Sequence, residues 1–561
     1  MVELSHSKPL GKTTSKIRFR WLDIKEGISG YLYILPAFII IGLFGLFPIG
    51  FAIYVSLFQW RINPGDYIGL SNYVKALDNL AYVLSFWLVV ILFYLVVKNI
   101  QKIINISNEH KEHPWLWFVP GTITTIGVVA FLRFIVLLLP EVLAISTKVR
   151  GQVKSQELFL QLLGEAWQTP AVVNARNLSI LALIIGIAAA IITGLYLYKS
   201  PRNSQYYLIF INITAYIVIG GLLAWLTWTH IQAAYVAAQE TGEPLDIWSQ
   251  IIMISGGFIL LFLSWRVWRS ANKSTTNTQT ILRLLAGIVL AIGAWVLIGE
   301  LPRIISTGDK NWWEGLLVTV YYSIGTVPIQ LAISLILAVL LFQKIRGKGL
   351  FRLIYFLPYI TPTVAAAAIF RVFFSGRPTA PINSLIQLFG GDAQLWLDEP
   401  DGIFQMIVGN NIELPTWAVG PSLALVVIII YNVWSYVGYD TVIFLAGLGN
   451  IPSELYEAAS IDGAGRIAQF RHITLPLLSP TTYFLTLLSI IGTFKAFNHI
   501  WVLRTGAALG TTDTATVIIF NEFNRNTRYG YAAALSIVLL LVILVLTIIN
   551  NKVAEKRVFY G

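Results

Sequence analysis

The stretch LYILPAFIIIGLFGLFPIGFAIYVSLF, Leu32 to Phe58, contains no Asp, Glu, Lys or Arg. A helix of about 20 apolar residues crosses the hydrocarbon core of a bilayer, so this run predicts a membrane span. It is too long for the apolar part of a signal peptide, about 7–15 residues, and no Ala-x-Ala pattern ends it. The tail before it, Lys8 to Lys25, is basic. The expectation is a retained first span with the N-terminus in the cytoplasm, where basic segments collect.

Similar runs recur along the chain. With the first at 30–58, the others lie near 80–97, 115–140, 177–198, 206–230, 248–265, 283–301, 312–343, 351–374, 421–446, 478–502 and 530–550. Lipid leaves backbone groups unpaired unless a helix or closed barrel pairs them, and these runs are continuous rather than alternating, which argues against a barrel. The predicted fold class is all-α: a polytopic transmembrane helical bundle of about twelve spans. Composition agrees, with 56% apolar residues, 12% charged residues and a mean hydropathy of +0.71, whereas soluble chains carry about 25% charge. No cysteine is present, so thiolate metal sites and disulfides are excluded.

The net charge of +11 is spread in short clusters between the runs, which points to loops beside a membrane and not to nucleic acid. Lys98, Lys102 and Lys111 follow the second run, Lys199 and Arg202 the fourth, and Arg266, Arg269, Lys273 and Arg283 surround the end of the sixth. Lys344, Arg346, Lys348 and Arg352 separate the eighth and ninth, Arg466 and Arg471 the tenth and eleventh, and Lys552, Lys556 and Arg557 close the chain. With the N-terminus inside, all these clusters fall on the cytoplasmic side, as does the C-terminus, while the loop holding Glu240, Glu243 and Asp246 falls outside. Residues 141–176 read as partly amphipathic, and 375–420, rich in Gly, Pro, Asp and Trp, as a structured outer loop or short helices.

Between the tenth and eleventh runs stands EAASIDGAGRIAQFRHITLP, residues 457–476. It reads as helix, glycine break, helix. Pro452 suits a first turn, Glu454 complements the helix dipole, and Gly463 can take the left-handed conformation that ends a helix. Ala458 and Ala459 offer a small surface for close approach, and Glu457 adds a charge able to pair with an Arg. Each residue alone would suit an ordinary hairpin between two spans. The combined spacing, E-A-A, three residues, Gly463, nine residues, then Ile473, Leu475 and Pro476, resembles the EAA loop of binding-protein-dependent ABC importer permeases.

The resemblance extends to FRLIYFLPYITPTVAAAAIFRVFF (351–374), VIFLAGLGNIPSELYEAASIDGAG (442–465), IIGTFKAFNHIWVLRTG (490–506) and the first span. These look like the maltose-type and glycerol-phosphate-type carbohydrate permeases. Two departures stand out. Thr505 to Gly510 replaces the family's Gly-Gly-Gly-Pro turn, and about six further spans separate the first from the rest. The implied organisation is a tail and first permease span at 1–60, an insert at 61–310, and a permease core at 311–561 that completes about six core helices and holds the coupling loop at about 450–476. The resemblance implies that Glu457, Ala458, Ala459, Gly463, Ile473, Leu475 and Pro476 couple the chain to a separate ATPase. It further implies two ATPase subunits carrying Mg-ATP, a homologous second permease, an extracytoplasmic solute-binding protein, a sugar or polyol-like solute, and a bacterial inner membrane.

The chain offers no chemistry of its own to power transport. Gly11-Lys12-Thr13 lacks the leading glycine of a phosphate loop, with His6 in its place. No Gly-x-Ser-x-Gly elbow, zincin spacing or metal cluster appears, so no catalytic residue, metal or cofactor is expected. For the solute, Tyr431, Trp434 and Ser435 share a face of the tenth run with Asn432 beside it, and Phe494, Phe497, Asn498 and Trp501 share one on the eleventh. Rings beside amides suit a sugar, although aromatic stripes more often serve packing. Charges inside spans are costly: Arg133, Arg371 and Lys495 read as pairing or snorkelling groups, and Asp440 lies toward the inner end of the tenth run. An ion-coupled carrier would need acids within its spans, and a polytopic membrane enzyme would need paired carboxylates or a metal cluster.

Overall fold

The computed structural model describes residues 21–62, 64–149, 155–197, 202–242, 245–271, 276–299, 307–343, 346–409, 412, 414–415 and 418–557. The Gly11-Lys12-Thr13 fragment and the basic residues Lys8, Lys199, Lys273 and Lys344 lie outside them. Among the described residues regular structure is helical, with only the isolated bridges Phe58–Tyr67 and Gly402–Ser422 besides.

Among the described residues ten helices are long and apolar enough to cross a membrane, or up to 12 if each of two bent helix pairs is one span. The ten are Ser29–Ser56, Leu80–His110, Pro114–Ile145, Pro170–Tyr196, Asn203–Glu240, Ile247–Ala271, Asn277–Ile298, Lys310–Phe342, Leu423–Gly449 and Tyr529–Glu555. These are spans 1 to 8, 10 and 12. The chain divides into two compact units, Met1–Ile53 and Tyr54–Gly561. The described part of the first is a helix from Trp21 that passes through a π-helical turn at Ile41–Leu46, with Tyr33 and Phe44 strongly exposed.

Within the second unit, small residues let helices approach closely, as membrane packing favours. Gly186 of span 4 lies against Thr124 of span 3, where an added Cβ would come within 2.8 Å of the Thr124 backbone nitrogen. Ser264 of span 6 donates to the Gly287 carbonyl of span 7 at 2.7 Å. Spans 8, 10 and 12, with the helix Ser479–Phe494, share the apolar clusters that bury Trp312, Tyr322, Phe444, Leu485, Phe494 and Leu535.

The ninth run is not one continuous span. Lys348–Ile360 and Thr363–Phe373 meet at 95°. The Thr361-Pro362 step forces this, because proline pushes the preceding residue out of the helical region, and Thr361 has φ −64, ψ 135. The eleventh run is shorter than the sequence suggests. Its helix Ser479–Phe494 bends 61° from the preceding Arg466–Leu477 and stops at Phe494. Lys495, Ala496 and Phe497 are not helical, and a short helix Asn498–Leu503 follows.

The described parts of the two long loops hold short helices. Gln156–Gln168 is an amphipathic helix capped by Ser155. In the 375–420 segment Asn383, fully buried, donates to the carbonyls of Ser375, Arg377 and Gln394 and accepts from Gln394 N and Trp396 Nε1. This knits the short helices Pro381–Leu388 and Trp396–Asp398 together.

Helix Lys348–Ile360 packs on span 10 at Gly438, where an added Cβ would lie 1.7 Å from the Tyr355 carbonyl oxygen. Backbone cannot yield as a side chain can. Gly438→Ala is therefore expected to destabilise the protein by about 1–3 kcal/mol in detergent unfolding. Gly221→Ala, with nothing within 4 Å, is expected to be silent. Equal stability of the two variants would contradict this packing.

Candidate functional site: a polar cavity above a surface hairpin

Span 8 and span 10 meet along a polar seam. Gln330 is 2% exposed, Asp440 2% and Asn432 6%. The Gln330 amide donates to Asp440 Oδ2 at 2.6 Å, and its Oε1 accepts from Asn432 Nδ2 at 3.1 Å. Ser334, one turn on from Gln330, donates to the Val437 carbonyl at 3.1 Å, and Thr441 donates to the Ser334 carbonyl at 3.3 Å. A carboxyl group away from water is costly unless hydrogen-bonded, and here one glutamine amide links it to a neighbouring amide.

The seam faces a cavity of about 250 Å³. Gln330, Asn432, Tyr436, Tyr439 and Asp440 form one side, with Thr363 from the second half of the broken ninth run. The break after Phe494 forms the other side, through Thr493, Lys495, Ala496, Phe497, Asn498 and His499. Irregular backbone at membrane depth is tolerated where it lines a cavity and neighbours satisfy it. The Ala496 carbonyl accepts from Thr516 Oγ1, and Phe497 O accepts from Trp501 N at 2.8 Å. His499 is held from behind, 2.8 Å from the Tyr322 hydroxyl and stacked on Tyr431 at 5.2 Å.

Of the residues read from sequence as solute-facing, the structure brings Asn432, Phe497 and Asn498 to this cavity. Tyr431 is 1% exposed, its hydroxyl donating to the Thr363 carbonyl at 3.0 Å, so it serves packing. Trp434 lies against Phe370 at 5.1 Å, and Ser435 does not line the cavity. The shared face of Phe494, Phe497, Asn498 and Trp501 does not exist, because the helix stops between the first two. Phe494 is buried with Trp312, Tyr531 and Leu535. Trp501 stacks on Phe497 at 5.5 Å and meets Phe520 at 4.8 Å.

Sequence reading passed over Gln330, Tyr436, Tyr439 and His499. The available signal was a set of polar residues at helical spacing in two apolar runs, Gln330 and Ser334 on one, Asn432, Tyr436 and Asp440 on the other. Asp440 lies deeper than expected, since span 10 runs on to Gly449. Lys495 lines the cavity, whereas Arg371 donates to the Val502 carbonyl at 3.4 Å. Arg133 is exposed along span 3.

The EAA segment follows span 10 directly. Ser453–Ile461 is helical, Pro452 precedes it at φ −59, ψ 131, and Glu454 lies in its first turn. Gly463 has φ +79, the left-handed conformation, and Ala464 N bonds back to the Ala459 carbonyl at 2.8 Å, closing the helix end. Arg466–Gln469 then begins a second arm that passes through a π-helical turn to Leu475–Leu477, with Ile473, Leu475 and Pro476 in its last part. Gln469 Nε2 donates to Ser460 Oγ at 2.8 Å, and Tyr456 and Thr474 hydroxyls lie 3.0 Å apart, which ties the two arms together. Glu457, Ala458 and Gly463 are exposed and Ala459 is half-buried. Beside them Ile461 and Ile467 are 87% and 83% exposed. The base is anchored by Leu448 and Leu478, buried with Phe444 and Leu341.

Removing Gln330 would strand both Asp440 and Asn432. Gln330→Leu is expected to cost about 1–3 kcal/mol, and adding Asp440→Leu to recover part of that loss. Strictly additive losses in a double-mutant cycle would contradict the coupling.

The family described as binding-protein-dependent transport system inner membrane component matches residues 330–559, which hold both the cavity and the hairpin. The arabinooligosaccharides transport system permease protein AraP of Bacillus subtilis is 30% identical over 305 residues, 54% of this chain and 87% of that protein. The lactose transport system permease protein LacF of Rhizobium radiobacter is 33% identical over 46% of this chain and 80% of its own length. A crystal structure of a bacterial ABC transporter involved in alginate import has a chain 21% identical, covering 49% of this chain and 95% of that one, at a TM-score of 0.39. At that score the likeness carries no argument of its own. The extent and identity of the matches to the permeases establish that this chain belongs to the family of binding-protein-dependent transport system inner membrane components.

Proposed function

We propose that this chain forms the translocation path for a sugar or sugar-like solute in an ATP-driven importer and couples it to a separate ATPase. The observation that carries the reading is continuity between hairpin and cavity. Span 10 carries Asn432 and Asp440 at the cavity and ends at Gly449, beside the hairpin. The helix Ser479–Phe494 leaves the hairpin's other arm and ends at the cavity's broken backbone. A push on the exposed Glu457-Ala458-Ala459 surface is thus passed to both walls through helices packed on Leu448 and Leu478.

The cavity suits a polyhydroxylated solute. The Asn498 amide, the Asn432 amide oxygen and the hydroxyls of Tyr436 and Tyr439 offer donors and acceptors, and the Phe497 ring offers an apolar face. Its volume is about 250 Å³. In this reading two ATPase subunits hydrolyse Mg-ATP, a homologous second permease completes the path, and a solute-binding protein delivers cargo from outside. The hairpin faces the cytoplasm with both termini, in a bacterial inner membrane. Residues 61–310 are an added module of about six spans; the family match begins beyond it.

Asp440, buried in the core, is the feature that would favour an ion-coupled carrier, since such a carrier needs a membrane-embedded acid. The two readings separate in one experiment. Affinity purification from the host membrane is expected to recover a subunit carrying a Walker A motif, with ATPase activity in the eluate. Glu457→Lys is expected to cut that subunit's recovery and ATP-driven uptake at least about tenfold, roughly 1.4 kcal/mol. Uptake abolished by collapsing the proton gradient but untouched by ATP depletion or by Glu457→Lys would overturn the proposal.

A further inference from the structure

A second cavity, of about 400 Å³, lies where the strap after the first span meets the start of the last. It is at the end of the core bundle away from the coupling hairpin. Tyr483, early in the helix that leaves the hairpin, donates to Asn551 near the end of span 12. Those two helices are therefore antiparallel, and Arg528 and Tyr531 stand at the far end.

The walls are built rather than incidental. Gln59 N bonds to Asp66 O at 2.8 Å and Ile68 N to Leu57 O at 2.9 Å, pairing residues 57–59 with 66–68 in a narrow strap. Asn72 Nδ2 clamps that strap by donating to the Ser56 and Phe58 carbonyls at 2.8 and 3.2 Å. Gly530 N donates to the Trp60 carbonyl at 2.9 Å, an approach so close that an added Cβ on Gly530 would stand 2.2 Å from Phe58 O. Trp60 and Tyr531, 7% and 3% exposed, supply ring surface. The Tyr531 hydroxyl is already spent on Asp309 Oδ2 at 2.6 Å.

The charged residues that line the cavity are all basic, with Glu522 and Asp309 behind Arg528 and Tyr531. Arg61, Lys75 and Arg528 line the cavity, and no carboxylate does. Lys75 Nζ sits 4.2 Å from the Tyr531 ring centroid, and Arg528 reaches Glu522 at 3.5 Å from outside the lining. Among the described residues no acid is paired with Arg61 or Lys75. Arg61 and Lys75 thus keep donors at this opening that are not committed to an acid, and an anion placed there takes charge-assisted hydrogen bonds from them.

We propose that this cavity is an anion site taking a phosphate or phosphodiester group, of which a phospholipid headgroup is one source and a soluble phosphate the other. The site is separate from the solute cavity and independent of the transport reading.

The test uses the full chain in detergent, given equal amounts of phosphatidylglycerol and phosphatidylcholine, with bound lipid counted by native mass spectrometry. Wild type is expected to retain the anionic lipid preferentially, and Arg61→Gln/Lys75→Gln to lose about tenfold of that preference. Arg61→Lys/Lys75→Arg, which keeps both charges, is expected to retain it. An excess of inorganic phosphate that leaves the lipid in place identifies the lipid as the source, and displacement identifies a soluble phosphate. Melting temperatures of the variants are compared, and if the double variant is unfolded the exposed single substitution Arg61→Gln is read instead. Retention unchanged by removing these charges, or no preference in wild type, overturns the proposal.

Discussion

The hydrogen bonds that Gln330 makes to Asp440 and Asn432 fix how the core of this bundle can be assembled. A carboxyl group buried between two spans has no water to fall back on, and an unmet polar group there costs more than most apolar contacts return. Span 8 and span 10 must therefore lie close enough for one glutamine side chain to reach both partners. Gly325, stacked on Ile429, and Ser334, bonded to the Val437 carbonyl, permit that approach. The clusters around Tyr322 and Phe444 close over the seam at either end.

The two breaks in the core follow from the same constraint. Lipid excludes irregular backbone, so a helix can stop at membrane depth only where protein supplies partners. The stop after Phe494 meets Thr516, which takes the Ala496 carbonyl, and opens directly on the Gln330–Asp440 seam. The bend at Thr361-Pro362 brings Thr363 to the same space and lays Lys348–Ile360 on Gly438. Breaks that weaken packing have been placed where a permease needs polar, adaptable surface.

Much of this was legible in the sequence. Uninterrupted apolar runs located the spans, and the glycine-punctuated EAA spacing located a hairpin whose turn does sit at Gly463 in the left-handed region. What the sequence concealed were properties of pairs. Gln330 and Asp440 are 110 residues apart, and nothing local marks either as the other's partner. The stripe from Phe494 to Trp501 assumed a continuous helix, whereas the helix stops at Phe494 and Thr516 of another helix takes up the Ala496 carbonyl. The bend at Pro362 was legible in principle, since proline disfavours helix in the residue before it, yet the hydrophobic run concealed it.

The chain contains no cysteine, so a single introduced thiol reports cleanly on its own position. The most direct measurement labels Asn498→Cys, at the broken backbone lining the cavity, with a membrane-impermeant maleimide in membranes holding the assembled transporter. Labelling is expected from one face at rest and, under the proposed function, to be suppressed by non-hydrolysable ATP acting through the proposed ATPase partner. Glu457→Lys in the same chain is expected to abolish that nucleotide response while leaving resting labelling intact. Labelling that ignores nucleotide in the otherwise wild-type chain would contradict a cavity driven through the hairpin.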